Sequence, residues 1–148
     1  MSLAKATQGM NDAWHELRAG MASLHSVFIS YDRDDRALAE RLRDLLAARG
    51  YLPWWDDHIE AGDFFEDRIV EALDTSKAAV VLWTDHSVTS RWVRWEATQA
   101  LKRGKLVPLA APGFDLRDIR PPFNDLNTLT FRDEAGLLKA LASASLRH

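Results

Sequence analysis

The chain of 148 residues contains no cysteine, which excludes a disulfide framework, a thiolate metal site and a cysteine nucleophile. That absence agrees with a reducing, cytoplasmic setting. A run of one charge is missing as well. Nineteen Lys and Arg stand against 22 Asp and Glu, for a formal charge of -3. With no basic cluster, neither nucleic acid nor an anionic membrane surface is an expected partner. The longest apolar run, AAVVLW at 78–83, is far too short to cross a bilayer, and no signal-peptide pattern is visible. No GxGxxG or GxxxxGK[ST] follows the first apolar run, and there is no Gly-x-Ser-x-Gly elbow. The histidines at 15, 25, 58, 86 and 148 have no HExxH or HxH spacing, so no metal site is expected.

What is present is globular. A composition 47% apolar and 28% charged suits one domain with a real core plus a short appendage. Residues 1–24 form that appendage. Met10, Trp14, Leu17, Met21 and Leu24 recur at spacings of four and three, a heptad seam about two repeats long. It reads either as one amphipathic helix packed on the domain or as the remnant of a coiled coil or linker.

From His25 onward strand and helix signals alternate. HSVFISY (25–31) is a short β-favouring run, followed by an Asp-rich start and a helical pattern at Leu38, Leu42, Leu45 and Leu46 that Gly50 ends. YLPWW (51–55) is a second strand, placed at a sheet edge because Pro53 cannot donate to a central ladder. Asp63 and Glu66 have capping-box spacing for a helix running to about Thr75. KAAVVLW (77–83) does not alternate and so reads as a strand buried on both faces. A loop at 84–90, a helix ending near Gly104, a strand KLVPLA (105–110), a Pro-rich loop with room for a short helix, a strand LNTLTF (126–131) and a helix from Asp133 complete the series. This pattern predicts a three-layer, flavodoxin-like α/β domain over 25–148, with a five-stranded parallel sheet in the order 2-1-3-4-5 flanked by helices.

The order carries a functional expectation. Ligands of open α/β sheets bind outside the carboxyl ends of the strands at the switch point, here between strands one and three. Tyr31 to Arg33, the loop 84–90 and the first turns of the following helix arrive there. That helix, SRWVRWEATQAL at 90–101, carries an unusual residue. On a helical wheel Val93, Ala97, Ala100 and Leu101 form the apolar stripe, and Glu96 lies at its edge one turn after Trp92. A desolvated carboxylate there suits chemistry, and a solvated helix former is the plain alternative. A phosphate-accepting receiver domain shares the topology, and Asp32, Asp34 and Asp35 suit it, but no lysine stands near Thr130 or Phe131.

Four stretches, VFISYDRDD, WWDDHIEAGDFFEDRIVEAL, AAVVLWTDHSVTSRWVRWE and KLVPL, in this order and spacing, resemble the TIR (Toll/interleukin-1 receptor) domain family, its bacterial branch most. The resemblance covers roughly 25–146 and implies one of two roles. Some members are non-catalytic adaptors that work by homotypic binding; many bacterial, plant and neuronal members hydrolyse NAD. The enzymes carry a glutamate four residues after a tryptophan on the helix after strand three, which Trp92 and Glu96 match. By the same resemblance Glu96 is the catalytic residue, and Tyr31, Arg33, Asp56, Glu60, Phe64 and Trp92 approach the substrate. NAD is then a substrate rather than a cofactor, and partners are further copies of the domain or other TIR domains, with the upstream seam as an assembler. The setting implied is anti-phage defence, or delivery into a host cell as a virulence factor. The receptor-type loop motif Arg-Asp-x-x-Pro-Gly has Ala61 in place of proline here, and the late Phe-Trp motif is missing, which bears on receptor-like contacts more than on NAD cleavage.

Overall fold

The computed structural model describes residues 25–54 and 65–144. Its five strands are β1 (Ser26–Ser30), β2 (Leu52–Trp54), β3 (Ala78–Trp83), β4 (Leu106–Ala110) and β5 (Leu129–Thr130). Its helices are α1 (Arg36–Ala48), α2 (Phe65–Thr75), α3 (Arg91–Lys102) and α4 (Glu134–Ala144). All neighbouring strands pair in parallel, in the order β2-β1-β3-β4-β5. The expected flavodoxin-like order is therefore the observed one. Pro53 sits on the edge strand opposite Val27, where its missing N–H breaks no central ladder.

Side-chain alternation builds the two outer layers. From β3, Ala79, Val81 and Trp83 face α2 and α3, meeting Ile69, Leu73, Val93, Ala97 and Ala100. The intervening Ala78, Val80 and Leu82 face α1 and α4, meeting Leu42, Leu46, Leu137 and Leu141. Every residue of β3 is buried, as a strand covered by helices on both faces must be. Each large side chain among them contributes about 1.5–3 kcal/mol of burial. The alanines of α3 let its backbone lie close to the sheet. That helix starts where Ser90 Oγ accepts the backbone N–H of Val93 (3.2 Å) and ends at Gly104, whose φ of +68° lets Lys105 N–H reach the carbonyl of Ala100 (3.0 Å).

One strand differs from expectation. The last was expected over 126–131, yet only Leu129–Thr130 pairs with β4, opposite Leu109 and Ala110. A 3-10 turn at Phe123–Asp125 sinks Phe123 against Trp83, and Leu126 follows it into the same cluster. Burying these two side chains holds the chain away from the ladder until Leu129. The expected short helix in the Pro-rich loop takes the form of this turn and another at Leu116–Asp118. The N-terminal seam and Asp63 lie outside the described residues.

Candidate active site around Glu96

At the carboxyl end of β1 two polar side chains are buried against each other. Phe28 and Ser30 lie on the β1 face toward α3, and Ser30 is the last residue of the strand. Its hydroxyl, 1% exposed, donates to Oε1 of Glu96 at 2.7 Å. Glu96 is only 5% exposed, so it lies within the buried stripe of α3 with Val93, Ala97 and Ala100 rather than at its edge. Its other hydrogen-bond donor is the Trp92 side chain one turn back, whose indole N–H points at the carboxyl. Trp92 stacks on Trp95 with ring centres 4.9 Å apart, and both pack on the α2/α3 core cluster. Beyond Ser30 the floor continues through Phe28, stacked on Trp54 at 5.0 Å.

No cation answers this carboxylate among the described residues. Burial pushes Glu96 up to about 8, and the hydrogen bonds from Ser30 and Trp92 pull back only part of that rise. At neutral pH the ligand-free site therefore holds Glu96 mostly protonated. A group that prefers its neutral form while ringed by neutral donors is poised to ionise when positive charge arrives beside it.

The other wall of the switch point is built by the loops after β1 and β3. Asp35 takes the Thr84 hydroxyl at 2.5 Å on Oδ2 and lies 2.8 Å from His86 Nδ1 through Oδ1. Hydrogen bonding to Asp35 and its charge raise the pKa of His86 above its ordinary value. Ser87 donates to the carbonyl of Leu82 at 2.6 Å and accepts from Thr84 N–H at 2.8 Å. These bonds tie the β3–α3 loop to the end of β3 and to Asp35, just ahead of the first turn of α3 that carries Trp92.

The residues expected at the site are thus only partly assembled. Glu96 and Trp92 meet through a hydrogen bond. Tyr31, one residue past Ser30, packs with the α1/α4 cluster on the opposite face of the sheet. Arg33 is exposed in the 3-10 turn Arg33–Asp35 and forms no ion pair among the described residues. Asp56, Glu60 and Phe64 lie outside the described residues. Sequence reasoning missed Ser30 and the Asp35–Thr84–His86 cluster. A serine at the inward position closing a doubly covered strand was the available signal for Ser30. Asp35 and His86, 51 positions apart, offered none. A separate pocket of about 240 Å³ lies beside the first half of β4, lined by residues such as Leu106, Pro108, Leu126, Asn127 and Ala144. It has no titratable lining, and Glu96 is not among the residues that line it.

The sequence profile described as "TIR domain" matches residues 27–142, most of the chain and all five strands apart from Ser26. This chain belongs to the TIR domain family. The domain is 25% identical over 119 residues to a stimulator of interferon genes protein from Magallana gigas, covering 75% of this chain and 29% of that protein. It therefore spans less than a third of that relative. Among solved structures it is similar to a metazoan TIR-STING receptor from C. gigas in complex with 2′,3′-cGAMP, with TM-score 0.66 and 25% identity over 78% of this chain and 38% of that one. The TIR domain of a Toll-related receptor from Hydra magnipapillata shares the fold, with TM-score 0.66 and 17% identity over 78% of this chain and 97% of that one. No described helix of this TIR domain is long and apolar enough to cross a membrane.

Proposed function

We propose that this TIR domain is a bacterial-type NAD nucleosidase, cleaving the nicotinamide–ribose bond when several copies assemble in the cytoplasm. The observation that carries the reading is Glu96: a carboxyl group buried at the switch point, held by two neutral donors and, among the described residues, paired with no cation. In NAD the leaving group is a pyridinium that departs as neutral nicotinamide, so no general acid is needed to protonate it. As the C1′–N bond breaks, its electron pair goes to the nicotinamide nitrogen and positive charge develops on the ribose. One fixed carboxylate in a water-poor crevice offsets that charge and holds the ribose hydroxyls. Water then adds through its oxygen to C1′ and loses a proton, giving ADP-ribose.

The cationic nicotinamide ring favours ionised Glu96, so substrate entry and deprotonation support each other. Because the anion is the working form, kcat/KM rises with pH up to about 8, the ionisation of the empty site. The seam at 1–24 supplies a route to self-association, and the bacterial assignment rests on the four sequence motifs, since the relatives above are metazoan.

The alternative adaptor reading is separated from this one by whether Glu96 opens into a cleft or is capped by a salt bridge to a neighbour such as Arg33; among the described residues no ion pair reaches it, and the residue is 5% exposed. The test is nicotinamide release from NAD by the domain clustered on beads, for wild type and Glu96→Ala. Release by wild type with a loss of roughly 100-fold or more in the variant supports the nucleosidase. Equal release by both removes Glu96 from the mechanism, and no release from either favours the adaptor.

A further inference from the structure

β1 carries two buried serines on the same face, one at each end, and their partners differ. Ser26, at the amino end, lies 3.4 Å from the hydroxyl of Ser76, which donates to the carbonyl of Ala72 at 2.6 Å. Every member of that pair is a neutral group, and the contact ties β1 to the last turn of α2. Ser30, at the carboxyl end, spends its only proton on an ionisable group 66 positions away, at 2.7 Å. Packing alone does not call for a hydroxyl at this position. Phe28 and Val81 on the same face show that the layer accepts apolar side chains, and Ser30 is 1% exposed, where an unpartnered hydroxyl is costly.

Resting on the nucleosidase reading above, we propose that Ser30 is a positioning residue of the site: its hydroxyl anchors Oε1 of Glu96, fixes the carboxyl's orientation toward the ribose and favours its anionic form. The hydroxyl acts through Glu96 and need not touch the substrate. Ser30 is suited to this because its backbone is held in register opposite Val81 in the ladder between β1 and β3. The donor thus sits on a strand paired in the sheet, whereas Trp92 is carried on the same helix as Glu96. Two donors from independent elements orient a carboxyl better than one.

Other charges around Glu96 leave this role to Ser30. β1 and β3 carry no titratable side chain. On α2, Glu66, Asp67, Arg68, Glu71 and Asp74 are exposed. On α3, Arg91, Arg94 and Lys102 do not contribute to its ionisation, and Lys105, before β4, is committed to α2 carbonyls. Burial raises the carboxyl's pKa and the Ser30 hydroxyl lowers it, so removing that hydroxyl raises it further.

The experiment uses the whole 148-residue chain. The Glu96 carboxyl is titrated by carbon-13 NMR, assigned with Glu96→Gln, in wild type, Ser30→Ala, Ser30→Cys and the control Ser26→Ala. Nicotinamide release is followed against pH in the same proteins, clustered on beads. In Ser30→Ala the midpoint is expected to rise by about one pH unit, and release near neutral pH to fall about tenfold, recovering only in part at alkaline pH, where the carboxyl ionises but lacks its anchor. Ser30→Cys, a similar-sized but weaker donor, falls between. Ser26→Ala leaves both curves in place. A merely structural serine would lower stability at either position without moving a titration curve. An unmoved midpoint and pH profile in Ser30→Ala, with wild type active, overturn the role of Ser30 and leave the nucleosidase standing. If no protein releases nicotinamide, the nucleosidase reading fails, and the proposal that Ser30 serves this reaction falls with it; the titration then shows only whether the hydroxyl governs the ionisation of Glu96.

Discussion

Among the described residues two ionisable side chains with a formal charge are buried, and they stand at opposite ends of the strands of one sheet. Lys105, just before β4, is 7% exposed, and its ammonium donates to the carbonyls of Leu73 at 2.8 Å and Asp74 at 3.0 Å. These carbonyls close the carboxyl end of α2, the negative end of its dipole. Burial still lowers the pKa of Lys105, with Asp74 opposing that shift. Nearby, Arg103 of the same turn bonds Asp74 at 2.6 Å, stitching α3 to α2. Glu96, at the end where the strands finish, is buried as deeply and receives a hydroxyl and an indole but, among the described residues, no opposite charge. The contrast is instructive. One buried charge is compensated by the fold and serves it as a helix cap. The other is left short of compensation, which costs stability and is tolerable where a cationic ligand can supply the missing charge.

That contrast breaks most sharply at Glu96. Glu96→Gln should abolish nicotinamide release, by about 100-fold or more, while making the domain more stable. The sign follows from a pKa raised to about 8 in the fold against an ordinary 4.5. The folded form holds the proton through that window while the unfolded chain loses it. Stability owed to Glu96 is therefore complete below about pH 4.5 and lost as the pH rises to about 8. Thermal melts should show no gain for the glutamine variant near pH 4 and a gain of up to a few kcal/mol at pH 8, at roughly 1.4 kcal/mol per unit. A gain that does not grow with pH would mean Glu96 is already ionised in the resting fold.

At the other end the reverse is expected. Lys105→Met should destabilise by about 1–3 kcal/mol, because two carbonyls of α2 lose their donor, and should leave nicotinamide release per folded molecule unchanged. Urea melts paired with the release assay check this, and a selective loss of activity would make the two ends alike. The smallest effect belongs to His86. Its raised pKa means that its bond to Asp35 adds stability in full below its ordinary 6.5 and loses it as the pH climbs through the folded value. His86→Ala should lower the melting temperature slightly in mild acid and not at all in alkali, as scanning calorimetry at two pH values would show.

Much of this architecture is legible from residues alone, for reasons visible in particular elements. The unbroken run Ala78–Trp83 announced a strand covered on both faces, Pro53 an edge, and Gly104 a helix end. Each is a local constraint of backbone or solvent. The length of β5 was not legible, because it depends on Phe123 and Leu126 finding room in a core built by other elements. Trp92 and Glu96, four residues apart on one helix, could be paired in advance. Tyr31 could be assigned to the same end but not to a face, since that depends on which way Ser30 turns.

From its sequence alone this protein is a doubly wound α/β domain with a glutamate set beside tryptophan on the helix after strand three, since periodicity and turn chemistry act over a few residues. Tertiary structure alone decided that Glu96 is buried with no counter-charge among the described residues, that its second donor is Ser30, and that Asp35 reaches His86 and Thr84. Desolvation and pairing depend on what the fold brings from 49 to 66 positions away, and no local pattern encodes that.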